Sequence, residues 1–252
     1  MNALAQIRRQ TSFDLLVFRR NPAAAFFTVV FPLIFFLLFN SIFGNEELES
    51  GVKASTLIIP GILTLQVVSA TFANMAMTTT IRRQRGFLKR VRGTPLPAWV
   101  FVTAQATASM LIMAASSVLL IVLGRLFYGV TVQSAGIVPL ILTLIISATS
   151  FSALGLAITA AIPSENAAPA MTNVIVLPLY FISDVFIVGD KPKALETIAN
   201  LFPVQHTAAG LAESFNPLNT GSVWPWDHWL VIAAWGLFGL AMSIKFFRWT
   251  PR

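Results

Sequence analysis

Residues 57–80 read LIIPGILTLQVVSATFANMAMTTT, and residues 81–92 read IRRQRGFLKRVR. The first stretch carries no charged side chain and is long enough to cross a hydrocarbon core, which takes about 20 apolar residues in a helix. The second is a dense run of basic side chains, the kind that stays on the cytoplasmic side of a bilayer. A span followed at once by a basic turn is the pattern from which the rest of the chain is read.

Composition agrees with a membrane protein. Of the 252 residues, 56% are hydrophobic and 11% are charged, and the mean hydropathy is +0.76. A soluble domain averages about 25% charged residues, and this chain has too little polar surface to cover its apolar mass. Disorder is excluded on the same ground. Six spans are expected, at about Ala23–Phe43, Leu57–Thr80, Trp99–Leu123, Ile137–Ile162, Ala168–Val188 and His228–Phe247. Pro32 lies inside the first, where neighbouring helices can satisfy the carbonyl it frees. Residues 1–21 carry Arg8, Arg9, Arg19 and Arg20, with Leu4, Ile7, Leu15 and Phe18 at helical spacing, and read as an amphipathic helix on the membrane interface. A signal peptide is rejected, because no short apolar core with a small-residue cleavage site precedes Pro22.

An even number of spans places both termini on one side. That side holds the four N-terminal arginines, the six basic residues of 82–92, Lys245, Arg248 and Arg252. The other holds Lys53, Arg125, Lys191 and Lys193. The bias makes the termini cytoplasmic. Trp224, Trp226, Trp229 and Trp249 flank the last span as an aromatic belt would. The acidic loop with Glu46, Glu47 and Glu49 and the long stretch 189–227 then lie outside.

Several chemistries are missing. There is no cysteine, so neither a disulfide nor a thiolate site can form. No G-x-x-x-x-G-K-[ST] phosphate loop, no G-x-S-x-G elbow and no H-E-x-x-H is present. The chain is expected to be no enzyme by itself and to hold no metal. His206 and His228 are too few for a histidine cluster. Asp184 is the main ionisable candidate in the spans. Intramembrane acids are functional suspects, although this one also stands close enough to the loop to face water.

On a helical wheel Ile81, Leu88 and Val91 of the basic loop share one face, with Phe87 beside them. A helix lying on anionic lipid fits this pattern, and so does a helix that docks into a groove on a cytosolic motor. Four stretches, in order, resemble the membrane subunits of ABC-2 type exporters. They are Arg20-Asn21-Pro22 leading to Phe31-Pro32-Leu33 and Phe43-Gly44; Ile59-Pro60-Gly61-Ile62-Leu63; Arg85-Gly86-Phe87-Leu88-Lys89-Arg90 with Thr94-Pro95-Leu96; and Leu177-Pro178-Leu179-Tyr180-Phe181-Ile182-Ser183 with Leu201-Phe202-Pro203-Val204. The drug-export permeases of the daunorubicin-resistance type are the most similar subgroup. The chain differs in having Gln84-Arg85 where many members place a Glu before the loop Gly, and Asp184 where a Gly often follows the Ser.

The resemblance implies one all-α transmembrane domain over residues 1–252. It has six transmembrane helices, an N-terminal interfacial helix, a cytoplasmic coupling helix between spans two and three, and an outer re-entrant segment between spans five and six. It implies that Arg82, Arg83, Gln84, Arg85, Gly86, Phe87, Leu88, Lys89 and Arg90 meet a separate nucleotide-binding ATPase subunit. That subunit would carry the ATP and Mg, with no cofactor on this chain. A second membrane subunit, identical or paralogous, would complete the transporter in the plasma (inner) membrane. The expected activity is export of hydrophobic drugs or amphipathic small molecules. Export of lipid or polysaccharide, a stand-alone secondary carrier and a non-transporting scaffold are the alternatives, and no nucleic acid partner is expected. In the family, spans one, two and five border the path, so Gln66, Asn74, Asn173, Tyr180 and Asp184 are path candidates. Gln66, Asn74 and Asn173 can equally serve as interhelical hydrogen-bond partners. Ala104 and Ala108 mark a close helix contact on span three.

Overall fold

The computed structural model describes residues 2–43, 52–183, 185, 186, 192–215 and 224–247. Within them the chain is helical and forms no β-strand. In chain order the helices are α1 (Ala3–Arg19), α2 (Pro22–Ile42), α3 (Ala54–Gln84), α4 (Phe87–Arg92), α5 (Ala98–Tyr128), α6 (Ser134–Ile158), α7 (Ala167–Ile182), α8 (Lys193–Ala199), α9 (Pro203–Phe215) and α10 (Trp226–Phe246). Five of these, α2, α3, α5, α6 and α10, are long and apolar enough to cross a membrane. The fifth expected span corresponds to α7, an apolar helix of 16 residues. It rises about 24 Å, less than the roughly 30 Å of the hydrocarbon core.

Local chemistry sets the breaks. Asn21 caps α2 by accepting a hydrogen bond from the Ala24 N–H at 3.1 Å, and Pro22 follows at the first helical position. Thus Arg20-Asn21-Pro22 is the corner where the interfacial helix turns into the first span. Just before Pro32, α2 loosens into a π turn over Phe26–Val30. The missing proline N–H leaves a carbonyl one turn back without its donor. Gly86 has φ +69° and ends α3. A left-handed residue costs little only for glycine, so the basic stretch divides into two helices. The single amphipathic helix expected from Ile81, Leu88 and Val91 therefore does not form. Ile81, Arg82 and Arg83 complete the last turn of α3, and Leu88 and Val91 belong to α4.

α3 is the axis of the bundle. Its most apolar window is 78% buried, against 17% for α2 and 22% for α10, so the other spans arrange themselves around it. α2, α5, α6, α7 and α9 all pack on it. Two glycines permit close approaches. A Cβ on Gly61 would collide with the Val185 carbonyl, so the segment after α7 crosses the start of α3 there. A Cβ on Gly155 of α6 would stand 2.5 Å from the Phe72 carbonyl oxygen, at the π turn Ser69–Ala73 of α3. α10 lies along α6, with Ser150 Oγ donating to the Ile232 carbonyl at 2.7 Å and Ser243 Oγ to the Ala153 carbonyl at 3.1 Å.

α8 and α9 dip into the bundle. Trp235 Nε1 donates to the Leu201 carbonyl at 2.9 Å, and its ring stacks on Phe202 at 5.9 Å. Trp235 lies nine residues into α10, about 14 Å from its first residue. Ser147, ten residues into the apolar run of α6, hydrogen-bonds Thr207 of α9 at 3.1 Å. The turn between α8 and α9 therefore sits halfway down the spans.

Candidate functional site

The end of α3 is bound into the molecule on two sides. Arg82 is 9% exposed, and its Nη2 donates to Asp14 Oδ1 of α1 at 2.6 Å. Its Nη1 reaches Gln105 Oε1 of α5 at 3.4 Å, and Gln105 Nε2 donates to Thr79 Oγ1 at 2.9 Å. The guanidinium carbon lies 5.7 Å from the Phe87 ring and 5.6 Å from the Phe101 ring. Both rings are within range of cation–π attraction, worth about 0.5–2 kcal/mol each. Gln10 Nε2 holds Asp14 Oδ1 from the same helix at 3.0 Å, and Thr11 donates to the Ala104 carbonyl at 3.2 Å. Burial pushes the Asp14 carboxyl above the usual carboxylate range, and the Arg82 guanidinium pulls it part of the way back.

This polar knot changes the character of α1. Its inward strip centres on Thr11 and Asp14, whereas Leu4, Phe13, Leu16 and Val17 face outward. Of the apolar residues at helical spacing, Leu4 is exposed, while Ile7, Leu15 and Phe18 are half-buried. α1 packs along α5, with Ala104 and Ala108 buried at the contact. This is the close approach on span three that those small residues announced.

On the other side Arg83, 6% exposed, donates to the Thr159 carbonyl at 2.8 Å and the Ile162 carbonyl at 2.7 Å. The Thr159 carbonyl caps the end of α6 and has no helical donor of its own, so a cation there is well placed; the Ile162 carbonyl belongs to the turn that follows. Gln84 grips the following turn twice: its Nε2 donates to the Pro163 carbonyl at 2.8 Å, and its Oε1 accepts from the Glu165 N–H at 2.9 Å. Arg85 meets Glu165 at 3.1 Å on the surface, a pair worth at most about 1 kcal/mol. Consecutive residues thus hold α1 and α5 on one side and the α6–α7 turn on the other. Arg82, Arg83 and Gln84 spend their polar groups inside the subunit. Beyond Gly86, Leu88 is buried, while Lys89, Arg90 and Arg92 are exposed. A cleft of about 430 Å³ separates α1 from this turn, lined by Gln6, Arg9, Gln10, Phe13, Phe87, Thr94, Pro95 and Leu96.

The path candidates fall in three settings. Gln66 is fully buried against α5, where Ser117 donates to its Oε1 at 3.4 Å and its Nε2 has no partner among the described residues. Asn74 Nδ2 donates to Ser109 of α5 at 3.0 Å, and its Oδ1 accepts from Thr78 at 3.1 Å. Tyr180 is buried and donates to the Leu65 carbonyl at 3.2 Å, joining α7 to α3. Asn173 is exposed on α7. Asp184 lies outside the described residues, as do Glu46, Glu47, Glu49, Arg248, Trp249 and Arg252. Away from these, His206 and His228 face each other with their Nδ1 atoms 2.8 Å apart, and Glu213 is 3.6 Å from His228 Nε2. Among the described residues no group of three or more His, Asp or Glu side chains is arranged to hold a metal ion.

Asp14, Gln105 and Glu165 were not among the residues the sequence singled out. One acid in a helix carrying three arginines was the available signal for Asp14. Gln105, a polar side chain inside an apolar span, was the signal for the other end of the knot.

A helical bundle with five spanning-length helices, and a basic turn keyed into them, is a multi-pass membrane protein. The chain belongs to the ABC-2 type transporter family, whose profile matches residues 5–216. It is 28% identical over 228 residues to the daunorubicin resistance ABC transporter permease protein DrrB1 of Streptomyces coeruleorubidus, covering 86% of this chain and 76% of that one. It is 23% identical over 231 residues to the putative transport permease ycf38 of Porphyra purpurea, covering 90% of this chain and 78% of the other. The chain is the membrane subunit of an ABC transporter.

Proposed function

We propose that the protein is the permease subunit of an ATP-driven exporter of hydrophobic drugs or amphipathic small molecules. It works with separate ATPase subunits, which hold the ATP and Mg, and with a second membrane subunit. In this reading the chain crosses the plasma membrane six times, α7 being the fifth crossing. Both termini and α4 are cytoplasmic. The dipping turn between α8 and α9 is a re-entrant segment entered from outside. The drug-resistance name of one relative supports the cargo class.

The observation that carries the reading is the anchoring of Arg82, Arg83 and Gln84 on both sides of the bundle, directly before a short helix that presents Lys89 and Arg90. A motor subunit that moves α4 pulls on Gly86, and the anchors pass that displacement to α1, α5 and the α6–α7 turn together. Phe87 and Leu88 seat α4 on the bundle, while Arg85, Lys89 and Arg90 meet the motor. For the path, Asn173 on the exposed side of α7 is the polar side chain open to a passing molecule, and Gln66, buried in the central helix, is the polar side chain that a shift of α3 against α5 would release. Tyr180, Asn74 and Asp184 complete the proposed lining.

The test is co-purification with the cognate cytosolic ATPase, followed by a screen for compounds that stimulate ATP hydrolysis in reconstituted vesicles. Stimulation by planar hydrophobic drugs is expected, and stimulation by lipid or glycan precursors alone would reassign the cargo. Drug uptake driven by a proton gradient in the isolated chain would overturn the reading.

A further inference from the structure

α7 and α10 do not lie against each other: α10 packs on α6 and α9, and α7 on α3, α8 and α9. Between them runs an apolar groove of about 360 Å³, floored by α6 and the middle of α3. From α10 it is lined by Trp235, Phe238, Met242 and Phe246, whose positions span about 16 Å along the helix. A helix about 10 Å across would need on the order of 1,250 Å³ over that length, so the groove is too narrow for a further helix and suits extended hydrocarbon. The length also fits, since a single leaflet contributes about 15 Å of hydrocarbon. At one end of the groove stands the Phe202–Trp235 stack, and the Trp235 indole N–H is already given to the Leu201 carbonyl. At the other end Lys245 is exposed, with its Nζ 5.3 Å from the Phe246 ring. A cation thus stands where a lipid headgroup would meet the mouth.

We infer that this groove holds one acyl chain of an anionic phospholipid from the cytoplasmic leaflet, its methyl end under Trp235 and its phosphate at Lys245. The leaflet assignment rests on the topology proposed above. The bound chain fills the gap between the fifth and sixth crossings and lets α7 and α10 slide without exposing a void.

The experiment uses the full chain in nanodiscs of phosphatidylglycerol or phosphatidylcholine. Each holds a trace of phospholipid with a photoreactive diazirine either at the acyl terminus or beside the glycerol. After illumination, the terminal probe should mark peptides around Phe202 and Trp235, and the glycerol-proximal probe those around Phe246. Both should exceed the labelling of Val118 and Leu119 on the lipid-facing side of α5. Ala157→Trp, which fills the groove, should bring labelling down to that background. Lys245→Gln, at an exposed position, should lower the preference for phosphatidylglycerol about fivefold, and it keeps the test decisive if the filled groove does not fold. Even labelling of all outward faces would overturn the proposal, as would displacement of the label by an exported drug or crosslinks to a second copy of the chain. Groove labelling with the two probes interchanged would instead overturn the topology, because the lipid would then enter from the other leaflet.

Discussion

Asp14→Asn isolates the electrostatics of the α1–α3 knot. Asparagine keeps the size of the side chain and can still face Gln10, but it leaves the Arg82 guanidinium, 9% exposed, without its counter-charge. Removing one partner of a buried pair costs about 3–5 kcal/mol. Gln105 and the two phenylalanine rings remain around the cation, so the lower end, about 3 kcal/mol, is expected. For a chain of this size that corresponds to a drop in Tm of about 6–12 °C. The double variant Asp14→Leu with Arg82→Met removes both charges, and its Tm should return to within a few degrees of the parent, because a buried pair roughly breaks even against apolar side chains. Release of α1 can be followed directly. The chain has no cysteine, so Thr11→Cys places a single thiol at the buried α1–α5 contact. Its labelling should accelerate in Asp14→Asn and not in the double variant. A double variant as unstable as the sum of its parts would refute the idea that the loss comes from a stranded charge. If the pair also transmits movement, the double variant keeps its Tm but loses drug-stimulated ATP hydrolysis.

Gly61→Ala should destabilise by about 1–3 kcal/mol, because its Cβ meets the Val185 backbone rather than a movable side chain; thermal unfolding measures it. A Cβ on Gly86 meets no atom within 4 Å, so Gly86→Val pays chiefly for φ +69°, about 1–2 kcal/mol or more. Gly86→Asn, which tolerates that region, should recover most of the loss in Tm and in coupled ATP hydrolysis. Lys89→Glu with Arg90→Glu changes exposed charges, so stability should stay within about 0.5 kcal/mol of the parent while co-purification of the ATPase fails.

Hydropathy located the spans well, because a long apolar run has one low-energy place in a bilayer whatever it packs against. It missed the shortness of α7, where Pro169 and Pro178 punctuate an apolar run that still reads as continuous. The basic stretch 81–92 was visible as a unit of charge, and Gly86 was visible as a glycine. That the unit is two helices follows from a backbone angle that only the fold requires.

By itself, then, the sequence determined the solvent of this protein, the positions of its five long apolar helices, the charge carried by its loops and its family, since all of these depend on composition and order along one chain. The tertiary structure decided which polar groups are spent inside and which remain for partners. Arg82 and Arg83 look like their exposed neighbours in the sequence, yet they are buried against Asp14, 68 residues away, and the end of α6, 76 and 79 residues away. Gln66 and Asn74 were polar side chains in an apolar span, and helix rotation turned both toward α5. Partner choice depends on the rotation and depth of whole helices relative to one another, which no local pattern encodes.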